Sequence, residues 1–281
     1  MDAGSVMSYG QGKARRAARS RAVAGAARAG FAARGLIYVL VGVIALEIAF
    51  DRGGGGRQAD RGGALGELAD SPFGSVTLWI VGTALAGMAL WRLSEAAVGG
   101  PGPDGAKPSR RAMAAARCAF YVFVSFSVLS YAAGDRGSGS GSSDRQTDDV
   151  TATALSWPAG RWIVGAAGTA VVIAGLWMSV RAARKTFRRR LRTEDMSRRA
   201  RRCTDLLGVA GGTARGVVFA SAGVFALVAA VRRQPGEAKG MDDTLRAFRD
   251  LPAGPWVLAL VALGLAGFGA FSWCHARWRR L

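Results

Sequence analysis

The sequence predicts an all-α protein that crosses a membrane six times, and two observations lead to this prediction. Half of the 281 residues are hydrophobic, although the chain has a net charge of +19. The hydrophobic residues are segregated into uncharged stretches of 21 residues after Asp70, 19 after Arg161 and 26 after Asp250. A helix of about 20 apolar residues is long enough to cross a bilayer. The composition therefore argues against a soluble enzyme and against a free nucleic-acid-binding domain.

Three shorter apolar stretches complete the set of spans. Each follows an arginine that is itself preceded by small or apolar residues, so we expect these helices to begin before Arg34, Arg117 and Arg215. With that extension every span reaches about 20 residues, as a bilayer requires. The six transmembrane helices are predicted near 29–50, 73–93, 113–134, 160–180, 209–231 and 253–274.

The charge of the connecting segments predicts the orientation. The two termini and the even-numbered connections carry 27 of the 38 basic residues. Basic residues concentrate in cytoplasmic segments, so this side is predicted to face the cytoplasm, with both termini inside the cell. We expect a multi-pass protein of the plasma membrane whose first helix is a retained signal anchor, because no short apolar core with a cleavage site is present.

The odd-numbered helices open with the same motif, alanine–arginine followed by glycine or cysteine and, four residues after the arginine, an aromatic residue. The three copies are Ala33–Tyr38, Ala116–Tyr121 and Ala214–Phe219. The even-numbered helices follow a proline, with an aromatic residue 19 positions later. We expect each proline in the first helical turn, where its missing N–H costs nothing, and the aromatic side chains at the membrane interface. These prolines and aromatic residues are Pro72, Pro158, Pro252, Tyr38, Tyr121, Phe219, Trp91, Trp177 and Phe271.

These motifs divide the chain into three helical hairpins of the same orientation, which a pseudo-threefold bundle would satisfy. A basic arm at 1–28 precedes the first hairpin at 29–98. The second hairpin at 99–184 and the third at 205–281 are joined by a basic linker at 185–204.

The arginine-glycine-x-x-tyrosine opening and the proline-led return helix resemble a family of mainly actinobacterial membrane proteins, domain of unknown function 1206. The resemblance covers about 23–280. It implies a membrane location and three paired-helix copies, and it implies no activity. The second copy departs from the motif because Cys118 replaces the glycine.

The connecting segments predict further elements. Apolar spacing before each proline predicts a short helix on the outer surface. For the pairs Asp148-Asp149 and Asp242-Asp243 we favour helix capping over a metal site. The basic run Arg181–Arg202 is expected to continue the fourth helix into the cytoplasm and to contact anionic lipid headgroups.

The repeated arginines Arg34, Arg117 and Arg215 are the sharpest candidates for a binding site. They are expected about one turn inside the cytoplasmic boundary, where a charge needs a partner or must reach the headgroups. They either form an inner ring for an anion or lipid phosphate, or set the depth of their helices. Glu47 is the single acidic residue within a span, and we expect it to reach the outer surface.

No motif predicts a cofactor, a metal site or a catalytic set, since His275 is the single histidine and the three cysteines show no ligand spacing. We therefore favour a structural or interaction component of the membrane. The alternative is a small transporter or channel for an anionic or lipid-like molecule; a membrane enzyme ranks third. Expected partners are anionic lipids, and a membrane-protein partner or a second copy packed on the small residues Gly208, Gly212, Gly216 and Ala220 stays open.

Overall fold

The protein is a bundle of long α-helices with three short helices at one end. A computed structural model describes residues 21–50, 58–99, 107–134 and 143–279, and these residues contain nine α-helices. Six of the nine are long and apolar enough to cross a membrane, so the chain is a multi-pass membrane protein. The helices are α1 (Arg21–Phe50), α2 (Arg61–Ala69), α3 (Gly74–Val98), α4 (Pro108–Ala132), α5 (Ser143–Leu155), α6 (Gly160–Ala183), α7 (Arg198–Arg232), α8 (Met241–Arg249) and α9 (Gly254–Trp278).

The six predicted spans are confirmed, but the odd-numbered ones begin well before the predicted residues. Arg34 is the 14th residue of α1, and Arg215 is the 18th of α7. The predicted basic arm therefore ends in helix from Arg21, while its first 20 residues lie outside the described part of the chain. The preceding segments are rich in alanine and arginine, which favour helix although they are not uniformly apolar. The repeated arginines thus lie deeper in their helices than one turn.

The six long helices form one row in the order α4, α3, α1, α9, α7, α6. Each odd-numbered span packs against the even-numbered span of a different repeat, which is the pattern of a pseudo-threefold bundle. The row is curved, because Arg34 of α1 reaches Tyr121 of α4 across α3, and Arg215 of α7 reaches Tyr38 of α1 across α9. In the described residues α4 and α6, the two spans of the second repeat, form no extensive interface. The bundle is therefore open between them.

The three equivalent interfaces use equivalent residues. A Cβ atom added at Gly35 would lie 2.8 Å from the Gly269 carbonyl oxygen, and one at Gly216 would lie 2.6 Å from that of Gly175. Such small residues let two backbones approach closely. In the second repeat Cys118 takes the glycine position, and its Sγ donates to the Ala89 carbonyl oxygen at 3.4 Å. One motif thus builds all three contacts. The small residues of α7 are used within the bundle: Gly212, Gly216 and Ala220 pack against α6, and Gly208 packs against Phe187 of the linker and Phe271 of α9.

We call the end at which α1, α4 and α7 begin the basic end, and the end that carries α2, α5 and α8 the acidic end. The three short helices were predicted, and their presence is confirmed. The expected position of the prolines is wrong: each lies in the turn two residues before its helix, which begins at Gly74, Gly160 or Gly254. These glycines lie so close to carbonyl groups at the end of the preceding short helix that an added Cβ atom would clash with them.

The basic linker does not continue the fourth helix, and that prediction is wrong. The α6 helix ends at Ala183, Lys185 adopts a left-handed conformation (φ 51°), and two 3-10 turns follow before α7 begins. Leu191 is fully buried, and the backbone N–H of Arg192 donates to the Trp278 carbonyl oxygen at 2.9 Å. The linker therefore folds back over the basic end, because its apolar side chains are buried against the helices there.

Candidate anion site

Arg34 lies at the centre of the basic end, half-buried between three spans. Its Nη2 donates to the Ser272 hydroxyl of α9 at 3.1 Å, and its Nη1 donates to the Tyr121 hydroxyl of α4 at 3.4 Å. The guanidinium also lies 4.9 Å from the ring centre of Phe31 and 5.3 Å from that of Phe268. An arginine over an aromatic face is stabilised by the ring quadrupole. These contacts hold Arg34 without neutralising its charge.

Arg215 shares one of these rings with Arg34. Its guanidinium lies 5.0 Å from the centre of Phe268, 5.7 Å from Tyr38 and 5.2 Å from Phe219. Arg215 is half-buried, and no carboxylate among the described residues forms a salt bridge with it. The structure therefore brings Arg34 and Arg215 together at one phenylalanine ring.

Arg117, the third repeated arginine, lies on another part of the same end. It is half-buried on α4, and its electrostatic neighbours are Arg92, Arg190 and Glu95. Among the described residues, no aromatic ring makes a cation–π contact with Arg117 like the contact between Phe268 and Arg215. The three repeated arginines thus belong to one region but do not form a symmetric ring.

Two further buried arginines join this region. Arg279 lies 4.8 Å from the centre of Phe31 and 4.7 Å from that of Trp91, and Arg92 lies 4.2 Å from Trp91. A chain of alternating arginines and rings therefore runs from α7 to α3. Together with Arg190, which the linker contributes at the exposed rim, these residues form what we call the arginine cluster: Arg34, Arg92, Arg117, Arg190, Arg215 and Arg279.

Among the described residues, Glu95 is the one acid in electrostatic contact with this cluster, and it pairs with Arg92 at 2.6 Å. The Nε atoms of Arg92, Arg215 and Arg279 are buried with no hydrogen-bond partner among the described residues. A buried donor without a partner costs free energy, and more so when it is charged. Burial, followed by the neighbouring Arg92, lowers the pKa of the Arg279 guanidinium well below its usual range. The region is built to gain from a bound anion.

His275 lies beside the arginine cluster rather than in a metal site. It is buried, its ring stacks on Phe31 with centres 5.6 Å apart, and its Nδ1 has no hydrogen-bond partner among the described residues. Four arginines of the cluster, Arg279, Arg34, Arg190 and Arg92, act on it electrostatically. His275 adds one more unpartnered polar nitrogen to the same place.

The predicted interface aromatics divide into two groups. Trp177 is 60% exposed on α6, as an interface residue would be, and Phe219 is 36% exposed. Trp91, Phe271 and Tyr121 are buried instead, because the arginine cluster and its linker cover them. Glu47 is exposed towards the acidic end of α1, as expected for a side chain that reaches the surface.

Sequence comparison between repeats could not identify Arg92, Arg190 and Arg279, because no arginine occupies the equivalent positions of the other repeats. At the position of Arg92 the third repeat has Ser272, which accepts the hydrogen bonds of Arg34. One sequence pattern in the linker could have indicated its fold: Phe187 and Leu191 are four residues apart, with three arginines between them. That spacing indicates a buried face rather than a free basic segment.

The acidic end gathers carboxylates from the three short helices. Asp60 caps α2 by accepting from the Gly63 N–H at 2.8 Å, while Asp242 accepts from the Ala59 N–H at 2.7 Å and from Arg246 at 2.8 Å. The capping prediction for the two acidic pairs is wrong: Asp242 and Asp243 lie in the first turn of α8, after Gly240 as cap, and the other pair lies inside α5.

The carboxylates of Asp144, Asp242 and Asp243 lie close enough to share a cation. Burial raises the pKa of Asp144 to about 6, opposed by its hydrogen bond from the Asp243 N–H and reinforced by the neighbouring acids. Asp144 and Asp242 already accept hydrogen bonds from the protein, so the cluster is explained by the joining of the short helices.

Comparison with known proteins agrees with the three-repeat architecture. The family model described as Domain of Unknown Function (DUF1206) matches three times, at residues 29–99, 112–185 and 210–279. The chain is also 28% identical over 260 residues to a Bacillus subtilis (strain 168) protein named "Uncharacterized protein YxxB", covering 90% of this chain and 92% of that protein. No solved structure matches.

Proposed function

The chain belongs to the DUF1206 family, and we propose that it binds an anionic, phosphate-like group in the arginine cluster, as a carrier or transporter of an anionic molecule. One observation carries this proposal: six arginines from different segments form the cluster, Glu95 is paired with Arg92, and three buried Nε–H groups have no partner among the described residues. Arginine forks match phosphate and carboxylate oxygens in geometry and charge.

The charge distribution supports a cytoplasmic location for this site. The basic end contains the arginine cluster and belongs to the side with 27 of the 38 basic residues, so the positive-inside rule places it in the cytoplasm of a plasma-membrane protein. The ligand headgroup would then be drawn from the cytoplasm or from the inner leaflet, where anionic lipids create a negative surface potential.

The sequence also predicts a structural or interaction role without catalysis. Both parts stay predictions. The geometry favours binding because a purely structural bundle gains nothing from buried Nε–H groups that lack a hydrogen-bond partner, which destabilise it. Arginines that only set the helix depth would point to the membrane surface. Arg34 instead donates to side chains of two other spans.

Titration calorimetry with pyrophosphate as the probe tests the proposal on the full chain in detergent. We expect binding by the wild-type protein and a loss of about tenfold or more in affinity when Arg34→Gln and Arg215→Gln are combined, since charge-assisted hydrogen bonds contribute about 1.5–3 kcal/mol each. Arg199→Gln is the matched control, because it removes an exposed charge from the first turn of α7. Equal affinities of the double variant and the control would refute the proposed site.

A further inference from the structure

The bundle's departure from threefold symmetry is confined to one side. In two repeats the motif arginine reaches the motif aromatic residue of the next repeat: Arg34 donates to Tyr121, and Arg215 lies over Tyr38. The third such pair would be Arg117 with Phe219. The described residues do not form it, and Phe219 is 36% exposed where Tyr121 is 7% exposed.

The missing pair coincides with the missing helix–helix interface. The α4 and α6 helices are the two ends of the row, and α6 is the least buried of the six spans. On α4, Phe120 lies one turn from Arg117 on the same face, as residues three apart in a helix do, and it is 59% exposed. The side of the arginine cluster that contains Arg117 and Arg215 is therefore reached between α4 and α6.

The opening lies among membrane-spanning helices, so hydrocarbon surrounds it. The helices beside it expose aromatic and aliphatic side chains, including Phe120 of α4, Phe219 of α7 and Ile173 of α6. A free anion gains nothing from such side chains. A molecule with an anionic head and apolar chains gains both from the guanidinium groups and from the apolar surface.

We infer that the ligand of the arginine cluster is an anionic membrane lipid, which enters sideways between α4 and α6 and places its phosphate beside Arg34 and Arg215. This inference rests on the proposed function and names the class of ligand. The charges are complementary, because the arginine cluster stays strongly positive even with Glu95 paired to Arg92, whereas the large side chains exposed on the helices beside the gap are apolar.

Photocrosslinking from the opening tests this inference. A benzoylphenylalanine replaces Phe120 or, in a second protein, Phe219, so that one failed substitution does not end the experiment. The control replaces Ile80, which is 62% exposed on α3 away from the opening. Each full-length protein is reconstituted in phosphatidylcholine vesicles containing phosphatidylglycerol, illuminated, and its lipid adducts are identified by mass.

We expect the Phe120 and Phe219 positions to capture phosphatidylglycerol several-fold above its share of the bilayer, and the Ile80 position to capture both lipids in proportion to the bilayer. Adding Arg34→Gln and Arg215→Gln abolishes the enrichment. Bulk proportions at both opening positions would overturn the inference. If pyrophosphate still binds to the same protein in that case, the proposed anion site stands and only its lipid ligand is wrong; loss of both results refutes both.

Discussion

At the acidic end of the bundle the carboxylates accept hydrogen bonds from the protein. Asp60 accepts a hydrogen bond from a backbone N–H of the helix that it caps. Asp242 accepts one hydrogen bond from the Ala59 N–H and a second from Arg246. At the basic end Arg92, Arg215 and Arg279 each keep a buried Nε–H without a partner among the described residues. The basic end concentrates positive charge, whereas the acidic end mixes its carboxylates with basic side chains such as Arg246 and Arg249. The acidic end uses its charges to join three short helices, whereas the basic end leaves donors available for a ligand.

Glu95→Gln gives the largest expected change in anion binding. It removes the acid that pairs with Arg92 and so leaves the basic end with more uncompensated positive charge. We expect pyrophosphate to bind about tenfold more tightly, because a charge ~10 Å away contributes ~1.7 kcal/mol at an effective dielectric constant of ~20. We also expect the ligand-free protein to lose about 2–3 kcal/mol of stability, because Arg92 keeps a buried charge without its partner. Calorimetry and chemical unfolding measure the two effects. Weaker or unchanged pyrophosphate binding would contradict the account.

Asp242→Asn is expected to break the acidic end. It removes the negative charge that accepts hydrogen bonds from the Ala59 N–H and from Arg246. We therefore expect a loss of about 2 kcal/mol in the free energy of unfolding and no change in pyrophosphate affinity. Unfolding in detergent and calorimetry check the two parts. The control is Asp149→Asn, an exposed acid on α5. A drop in anion affinity would show that the two ends are not independent.

Asp144→Asn tests the titration of the acidic end. The pKa of Asp144 is raised from 3.8 to about 6, so the folded protein binds the proton more tightly than the unfolded chain does. Stability therefore falls as the pH rises from about 4 to about 6, by about 2 kcal/mol for this buried group. We expect the Asn variant to lack this dependence and to be more stable than wild type above pH 6. Hydrogen exchange of α8 across this range measures it; identical profiles would refute the assignment.

Ser125→Ala gives the smallest expected change and serves as a reference far from both charged ends. Its hydroxyl donates to the Gly82 carbonyl oxygen at 2.9 Å between α4 and α3. We expect a loss of about 0.6 kcal/mol, the average for side-chain hydrogen bonds between membrane helices, with unchanged anion binding. Unfolding of the single variant measures it. A loss above that of Asp242→Asn would mean that this interface, rather than the acidic end, limits stability.

The sequence alone predicts the parts of the fold that depend on long apolar runs and on repetition. The six spans, the three hairpins and the short helices before the prolines are of this kind, since each leaves a periodic or repeated signal. Helix starts were less accurate, because α1 begins at Arg21 in a segment whose arginines interrupt its apolar character without weakening its helix propensity.

The candidate site could be predicted only in part, for a related reason. Arg34, Arg117 and Arg215 recur in each repeat, whereas Arg92, Arg190 and Arg279 occur once each and come together only when the linker and the last helix fold over the basic end. The fully symmetric bundle expected from the repeats also fails at one place. The second repeat leaves Arg117 apart from Phe219, and no property of its motif indicates that separation.

The most direct test of the arginine cluster as an anion site is native mass spectrometry of the protein released from its own membranes. Wild type is compared with the combined Arg34→Gln and Arg215→Gln variant and with Arg199→Gln as the control. We expect a discrete anionic ligand on wild type and on the control, and its absence from the double variant. The same set of exchangeable bulk lipids on all three proteins would contradict it.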